Sequence, residues 1–207
     1  MLNKLKKIKP KHILEMLVIL ISFIPGMILR LIKRDIWIVA ENGDDAKDNG
    51  YAFFKYAMEN KSKKDIYYVI TKKSIYYDKL KKYNKNLLYK NSLKHNIYTI
   101  ASTKYISSQI GSGLPFPELV FNFQGTFIYR FKSIFLQHGI TQNKVQCLLK
   151  NESKVDLFCC AGNKEYDFVI NELGYNEENA KKTGFCRYDL LKDESKNSNK
   201  ILMMFTW

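Results

Sequence analysis

Ser133-Ile134-Phe135-Leu136-Gln137-His138-Gly139-Ile140-Thr141 is the stretch on which the fold turns. An apolar run with strand character ends on a Gln-His pair, followed by a glycine and two β-branched residues. In an open α/β sheet, ligands gather at the carboxyl ends of strands, where the chain turns toward a helix. This pattern sets His138 at such an end, where an imidazole exchanges protons near neutral pH, and gives Gly139 the tight turn beside it. Locally, a histidine that merely caps a strand–helix turn fits the same residues equally well.

Working outward, short apolar runs alternate with helical patterns. Toward the N-terminus, strands are expected over 36–40, 66–70, 87–89 and 104–109, each a buried run rather than an alternating one. Between them lie helices over 51–60, 74–81 and 92–101. The first stacks Phe53 on Ala57 and Phe54 on Met58, and the second has Ser74 as its N-cap. Residues 111–117 are turn chemistry, and the segment through Tyr129 reads as a loop or insertion with aromatic content that packs on something. Toward the C-terminus, a strand over 155–160 precedes a helix over 163–173, with Gly174 placed as its C-terminal cap. Strand–helix alternation with apolar strands implies an α/β, Rossmann-like, mostly parallel sheet covered on both faces. The expected organisation is a domain over 35–191, a charged linker over 192–200, and an apolar strand over 201–207. That strand reads as the start of a second, truncated domain.

Residues 1–34 form a basic, hydrophobic segment. They carry Lys4, Lys6, Lys7, Lys9, Lys11, Arg30, Lys33 and Arg34 against Glu15, about half of the chain's net charge of +14. The uncharged run from Met16 to Leu29 is shorter than the ~20 residues that a bilayer span needs, and Pro25-Gly26 interrupts it. Ile28-Leu29-Arg30-Leu31 offers no small-residue signal-cleavage site. Basic flanks around an apolar run favour an amphipathic helix lying in the plane of an anionic membrane surface, with a transmembrane anchor as the alternative. No nucleic-acid recognition motif accompanies the charge. Cys147, Cys159, Cys160 and Cys186 show no zinc spacing and read as small buried thiols in a reducing compartment, which fits cytoplasm.

Three clusters carry possible chemistry. Glu41, Asp44, Asp45, Asp48 and Asn49 follow the first strand. Carboxylates there bind a cation or orient a hydroxyl, or else Asp48 or Asn49 simply caps the next helix, which the local pattern favours. Gln137-His138-Gly139 is the second cluster. In the third, Gly184-Phe-Cys-Arg187-Tyr-Asp189, the guanidinium either grips a phosphate or pairs with Asp189.

In this order, Trp37–Glu41 with Asp44–Tyr51, Phe53, Lys55-Tyr56, Tyr67–Ile70, Leu136–Thr141, Gly184-x-x-Arg187-Tyr188-Asp189-x-Leu191 and Thr206-Trp207 resemble the CDP-glycerol glycerophosphotransferase family. These are the polymerases and primases of teichoic acids and related cell-surface polymers. Cys186 and Phe205 stand where the family usually has proline. The resemblance implies a GT-B type enzyme, peripheral on the cytoplasmic face of the cell membrane, of which this chain is the membrane helix plus the acceptor-side half. It implies transfer of glycerol phosphate from CDP-glycerol to a lipid-linked polyol-phosphate or glycan acceptor, with CMP released; no cofactor or metal-ligating residue is assigned. His138 matches the family's catalytic histidine, a general base toward the acceptor hydroxyl. Gln137, Gly139, Asp44, Asp45, Asn49 and Arg187 are the expected substrate contacts. CDP-ribitol as donor, or a non-catalytic membrane-bound remnant, are the alternatives.

Overall fold

Alternate residues of the apolar run Ile36–Ala40 point to opposite faces of one sheet, and both faces are buried. The computed structural model describes residues 10–193 and residue 203. Strand β1 (Ile36–Ala40) sends Ile36, Ile38 and Ala40 into one core and Val39 into another. Neither side meets water, which is why the run does not alternate in polarity.

Among the described residues, seven parallel strands follow from the repeated β–α unit. They are β1, β2 (Asp65–Ile70), β3 (Leu87–Tyr89), β4 (Lys104–Ser107), β5 (Lys132–Phe135), β6 (Leu157–Cys160) and β7 (Ala180–Lys182). Their order is β3-β2-β1-β4-β5-β6-β7, and every pairing is parallel. The order reverses between β1 and β4, so a crevice opens at the carboxyl ends of those two strands.

Helix α1 (Pro10–Ile32) precedes the sheet, and α2 (Asn49–Glu59) follows β1. Two short pieces come next, α3 (Tyr77–Leu80) and a 3₁₀ turn over Lys81–Asn86. Then come α4 (Leu93–Ala101), α5 (Pro117–Phe123), α6 (Lys150–Ser153) and α7 (Asn163–Leu173). A 3₁₀ turn over Cys186–Leu190 closes the described chain. Phe54, Ala57 and Leu80 cover one face of β1–β3, and Ile100 and Ala101 of α4 cover the other. Val169 and Leu173 of α7 pack on Phe135 and Phe158.

Helix α1 runs unbroken through Pro25, where an interruption was expected. Tertiary contact holds it there. An added Cβ at Gly26 would stand 2.7 Å from Ile100 Cγ2, so the two helices touch backbone to side chain at that point. Arg30 donates to the carbonyls of Ile100, Phe127 and Ile128. By length and composition Lys11–Ile32 suffices to cross a membrane, with mean hydropathy 2.2. Its buried residues are Ile19, Ser22 and Gly26, whereas Leu20, Ile24 and Leu31 are exposed.

Other differences from the sequence pattern have local causes. Ser74 is no N-cap. It opens a turn in which its Oγ accepts from Tyr76 N–H, and α3 starts after Tyr76. Within the stretch 111–129, α5 buries Val120 beside Leu114, Tyr129 and Phe131. Strand β7 was not anticipated, because only Ala180 of its three residues is buried. Ser92 and Gly174 cap α4 and α7 as expected, the serine accepting from His95 N–H at 3.1 Å and the glycine adopting φ 78°. The thiols are all free, and Cys147 is exposed rather than buried. Burial pushes Cys159 up to about 11 and Cys160 up to about 12. The expected strand over 201–205 and most of the linker lie outside the described residues.

Candidate functional site

The first βα turn leaves the amide N–H groups of α2's opening turn without helical partners. Glu41, at the end of β1, supplies them. Its Oε1 accepts from Asp48 N–H at 2.8 Å, Tyr51 N–H at 3.0 Å and Lys47 N–H at 3.2 Å. Gly50 N–H donates to Ser108 Oγ at 2.7 Å. Glu41 is only 2% exposed, and burial raises its pKa against the pull of those amides. A carboxylate therefore fills the anion-binding end of this helix. Neither Asp48 nor Asn49 caps it, since no side-chain cap bond forms at Asp48.

Strand β5 ends at Phe135, so Leu136, Gln137 and His138 form the turn beyond it. Gln137 takes the left-handed conformation at φ 66°, whereas the sequence suggested that the tight turn falls at Gly139. The Gln137 side chain points inward and donates to Thr141 Oγ1 and to Glu165 Oε1, both at 2.8 Å. Glu165 also accepts from the backbone N–H of Thr141 and of Ala161, each at 2.6 Å. Those four bonds turn the loop over and leave His138 exposed above it.

The His138 ring is oriented by a single bond. Its Nδ1 lies 3.3 Å from the Ser108 carbonyl oxygen, just past the end of β4. A carbonyl only accepts, so Nδ1 carries a proton in this bond, and in the neutral ring the lone pair is on Nε2. His138 stands beside the β1/β4 switch point on an open ledge, and it lines none of four surface hollows of about 270 to 730 Å³.

Asn49 and Arg187 tie this turn to two others. Asn49, fully buried, donates its Nδ2 to Gln137 O at 2.7 Å and Leu136 O at 3.3 Å, and its Oδ1 accepts from Arg187 N–H at 3.0 Å. Arg187 Nη1 donates to the Asp48 carboxylate and, at 2.8 Å, to the His138 carbonyl. The guanidinium also stacks 4.7 Å from the Phe185 ring centroid. Asn49, Gln137, His138, Gly139 and Arg187 thus form one constellation. Asp48, not Asp189, is the partner of Arg187.

Asp44 and Asp45 belong to a different part of the turn. Asp44 accepts from Thr71 Oγ1 at 2.7 Å and borders a hollow with Asn42 and Lys90. Asp45 accepts from Asn42 Nδ2 at 2.8 Å. At Gly139 a Cβ would meet nothing within 4 Å, so the chain itself does not require glycine there.

Sequence reasoning did not pick out Ser108 or Glu165. Glu165 carried a signal, a glutamate in the third position of its helix, where it reaches back to a preceding amide. Ser108 carried none.

Comparisons with known proteins bear on the chain's family and fold. The family model for CDP-glycerol:poly(glycerophosphate) glycerophosphotransferase matches residues 24–204. The minor teichoic acid biosynthesis protein GgaB of Bacillus subtilis (strain 168) is 34% identical over 179 residues, which is 84% of this chain and 19% of GgaB. The solved structure of the wall teichoic acid polymerase TagF matches with a TM-score of 0.53 at 10% identity, over 92% of this chain and 51% of TagF. The chain thus spans about a fifth of one relative and half of the other, and shares its α/β fold with that half. With the match running through α1, the sheet and the His138 turn, the chain belongs to the CDP-glycerol:poly(glycerophosphate) glycerophosphotransferase family.

Proposed function

We propose that this chain is the acceptor-side half of a glycerophosphotransferase and that His138 is its general base. The observation that carries the proposal is the Nδ1 bond to the Ser108 carbonyl, which in the neutral ring puts the basic nitrogen, Nε2, toward the switch-point crevice. An acceptor hydroxyl placed there gives its proton to Nε2 as its oxygen attacks the glycerol-bearing phosphorus of CDP-glycerol. The new P–O bond forms, the bond to CMP breaks, and no covalent enzyme intermediate arises. General-base assistance of this kind is worth about 10²- to 10⁴-fold, and positioning and charge neutralisation supply much of the rest.

Two features favour the acceptor role over donor binding. Glu41 occupies the helix terminus where a dinucleotide fold places its pyrophosphate, so a nucleotide phosphate would meet a carboxylate. The His138 ledge is open, as one wall of an interdomain cleft is. Arg187 is committed to Asp48 and the His138 carbonyl, which makes it a positioning residue for the turn. The exposed apolar side of α1 lies in the membrane interface on the cytoplasmic side, bringing the ledge to lipid-linked acceptors.

The test is CMP release by the native protein, given CDP-glycerol and a lipid-linked polyol-phosphate acceptor. His138→Ala should abolish release while leaving the melting temperature unchanged, because His138 is exposed. Near-normal release would return His138 to the role of a turn residue. Running CDP-ribitol in parallel identifies the donor.

A further inference from the structure

Phe127 joins two hollows of opposite character. On one side, a groove of about 710 Å³ between α1 and α5 is walled by Leu17, Leu20, Phe23, Phe123 and Phe127. Phe127 meets Phe23 edge-on at 5.7 Å and remains 60% exposed. On the other side, a hollow of about 600 Å³ is lined by Phe127 with Arg130, Lys132, Lys150 and Lys154, against one carboxylate, Asp156. Lys132 pairs with Asp156 at 3.0 Å, while Lys150 and Lys154 donate to backbone carbonyls and keep their charge uncompensated. Arg130 makes no hydrogen bond or ion pair among the described residues, and its charged neighbour Arg30 is also a cation.

An unpaired guanidinium among lysines fits an anion, and the adjoining groove fits aliphatic chain. A soluble phosphate would leave the groove empty, and a second copy of this basic chain would set like charges against each other. A molecule with a phosphate at one end and acyl chains at the other meets both halves. We infer that the Phe127 junction seats one anionic phospholipid, with its phosphate in the Arg130 hollow and an acyl chain along the α1–α5 groove. This rests on the proposal that α1 lies in the membrane interface. The hollow flanks the amino ends of β5 and β6, since Lys132 opens β5 and Asp156 precedes β6. The His138 turn is at the opposite edge of the sheet and takes no part.

The test is flotation of the full chain with phosphatidylcholine vesicles, alone or mixed with phosphatidylglycerol. Arg130→Glu should lower partition onto the mixed vesicles about tenfold and leave partition onto neutral ones unchanged. Lys181→Glu, an equal change of charge on β7, should have little effect. Phe127→Ser should weaken partition onto both. The site is overturned if Arg130→Glu loses no more than Lys181→Glu, or if millimolar inorganic phosphate displaces the protein from mixed vesicles at constant ionic strength. Failure of the wild-type chain to bind either vesicle overturns the interfacial helix as well, whereas normal neutral binding with an unaffected Arg130→Glu overturns the lipid site alone.

Discussion

Asn49→Ala removes the residue that holds three turns together, and its effect is calculable from the contacts it makes. The buried amide gives two hydrogen bonds, to Gln137 O and Leu136 O, and receives one from Arg187 N–H. Alanine takes a partner from two buried carbonyls, the weaker bond being that to Leu136 O, and from one amide, at about 1–3 kcal/mol for each group left without a partner that water does not reach. Counting the half-buried Arg187 amide as partly rescued by water gives a loss of about 3 kcal/mol. For a domain of this size that lowers the melting temperature by about 6–12 °C. Asp48→Asn breaks the neighbouring ion pair, whose side chains are 17% and 30% exposed, and that should destabilise by only about 1 kcal/mol. The neutral amide should therefore outweigh the salt bridge. Thermal unfolding followed by circular dichroism orders the two variants, and hydrogen exchange should show 136–141 and 185–188 opening together in Asn49→Ala. A loss in Asp48→Asn equal to or larger than that in Asn49→Ala would refute the reasoning.

Further outcomes concern other buried groups. His95 is fully buried with Nε2 unpartnered, and burial, with Lys90 nearby, pushes it from 6.5 down to about 3. The folded state holds it neutral, so the stability it contributes is lost as pH falls below 6.5 toward 3, at about 1.4 kcal/mol per unit. Urea midpoints between pH 6.5 and 5 should fall in the wild type and be flatter in His95→Gln. Glu165→Gln sets an amide where three donors converge and should destabilise by about 2–4 kcal/mol, measured by urea titration. Gly26→Ala gains about 1 kcal/mol of helix propensity, but its methyl collides with Ile100, at about 1–3 kcal/mol. Crowding should win, seen as faster proteolysis within α1, because the methyl would meet Ile100 Cγ2 and Cβ and the Ile97 carbonyl. Gly139→Ala should leave stability unchanged, because its methyl would enter open space; any fall in CMP release would then reflect contact with substrate or with the donor half.

Most of the strands were legible because a two-sided buried strand needs an unbroken apolar run, and β1, β2, β3 and β6 each have one. Edge strand β7 needs only Ala180 inside and left no such trace. Helix α7 was legible from its spacing and its glycine cap, whereas Ser74 misled because a serine opens a turn as readily as it caps a helix. His138 stood out as a polar residue closing an apolar run. The pairing of Arg187 with Asp48 did not, because the two lie 139 residues apart and nearby Asp189 is equally acidic.

Local sequence determined most of the strands and helices, the apolar character of α1, and the placing of His138 just beyond a strand end. These follow from short-range periodicity and turn chemistry. Only the tertiary structure decided the strand order that makes the β1/β4 crevice, the inner face of α1 at Gly26, and the carbonyl that selects the tautomer of His138. It also gave Gln137 rather than Gly139 the left-handed turn, because three donors converging on Glu165 hold that loop more firmly than glycine's freedom directs it. Each of these depends on groups far apart in the chain, which meet only when the sheet is assembled.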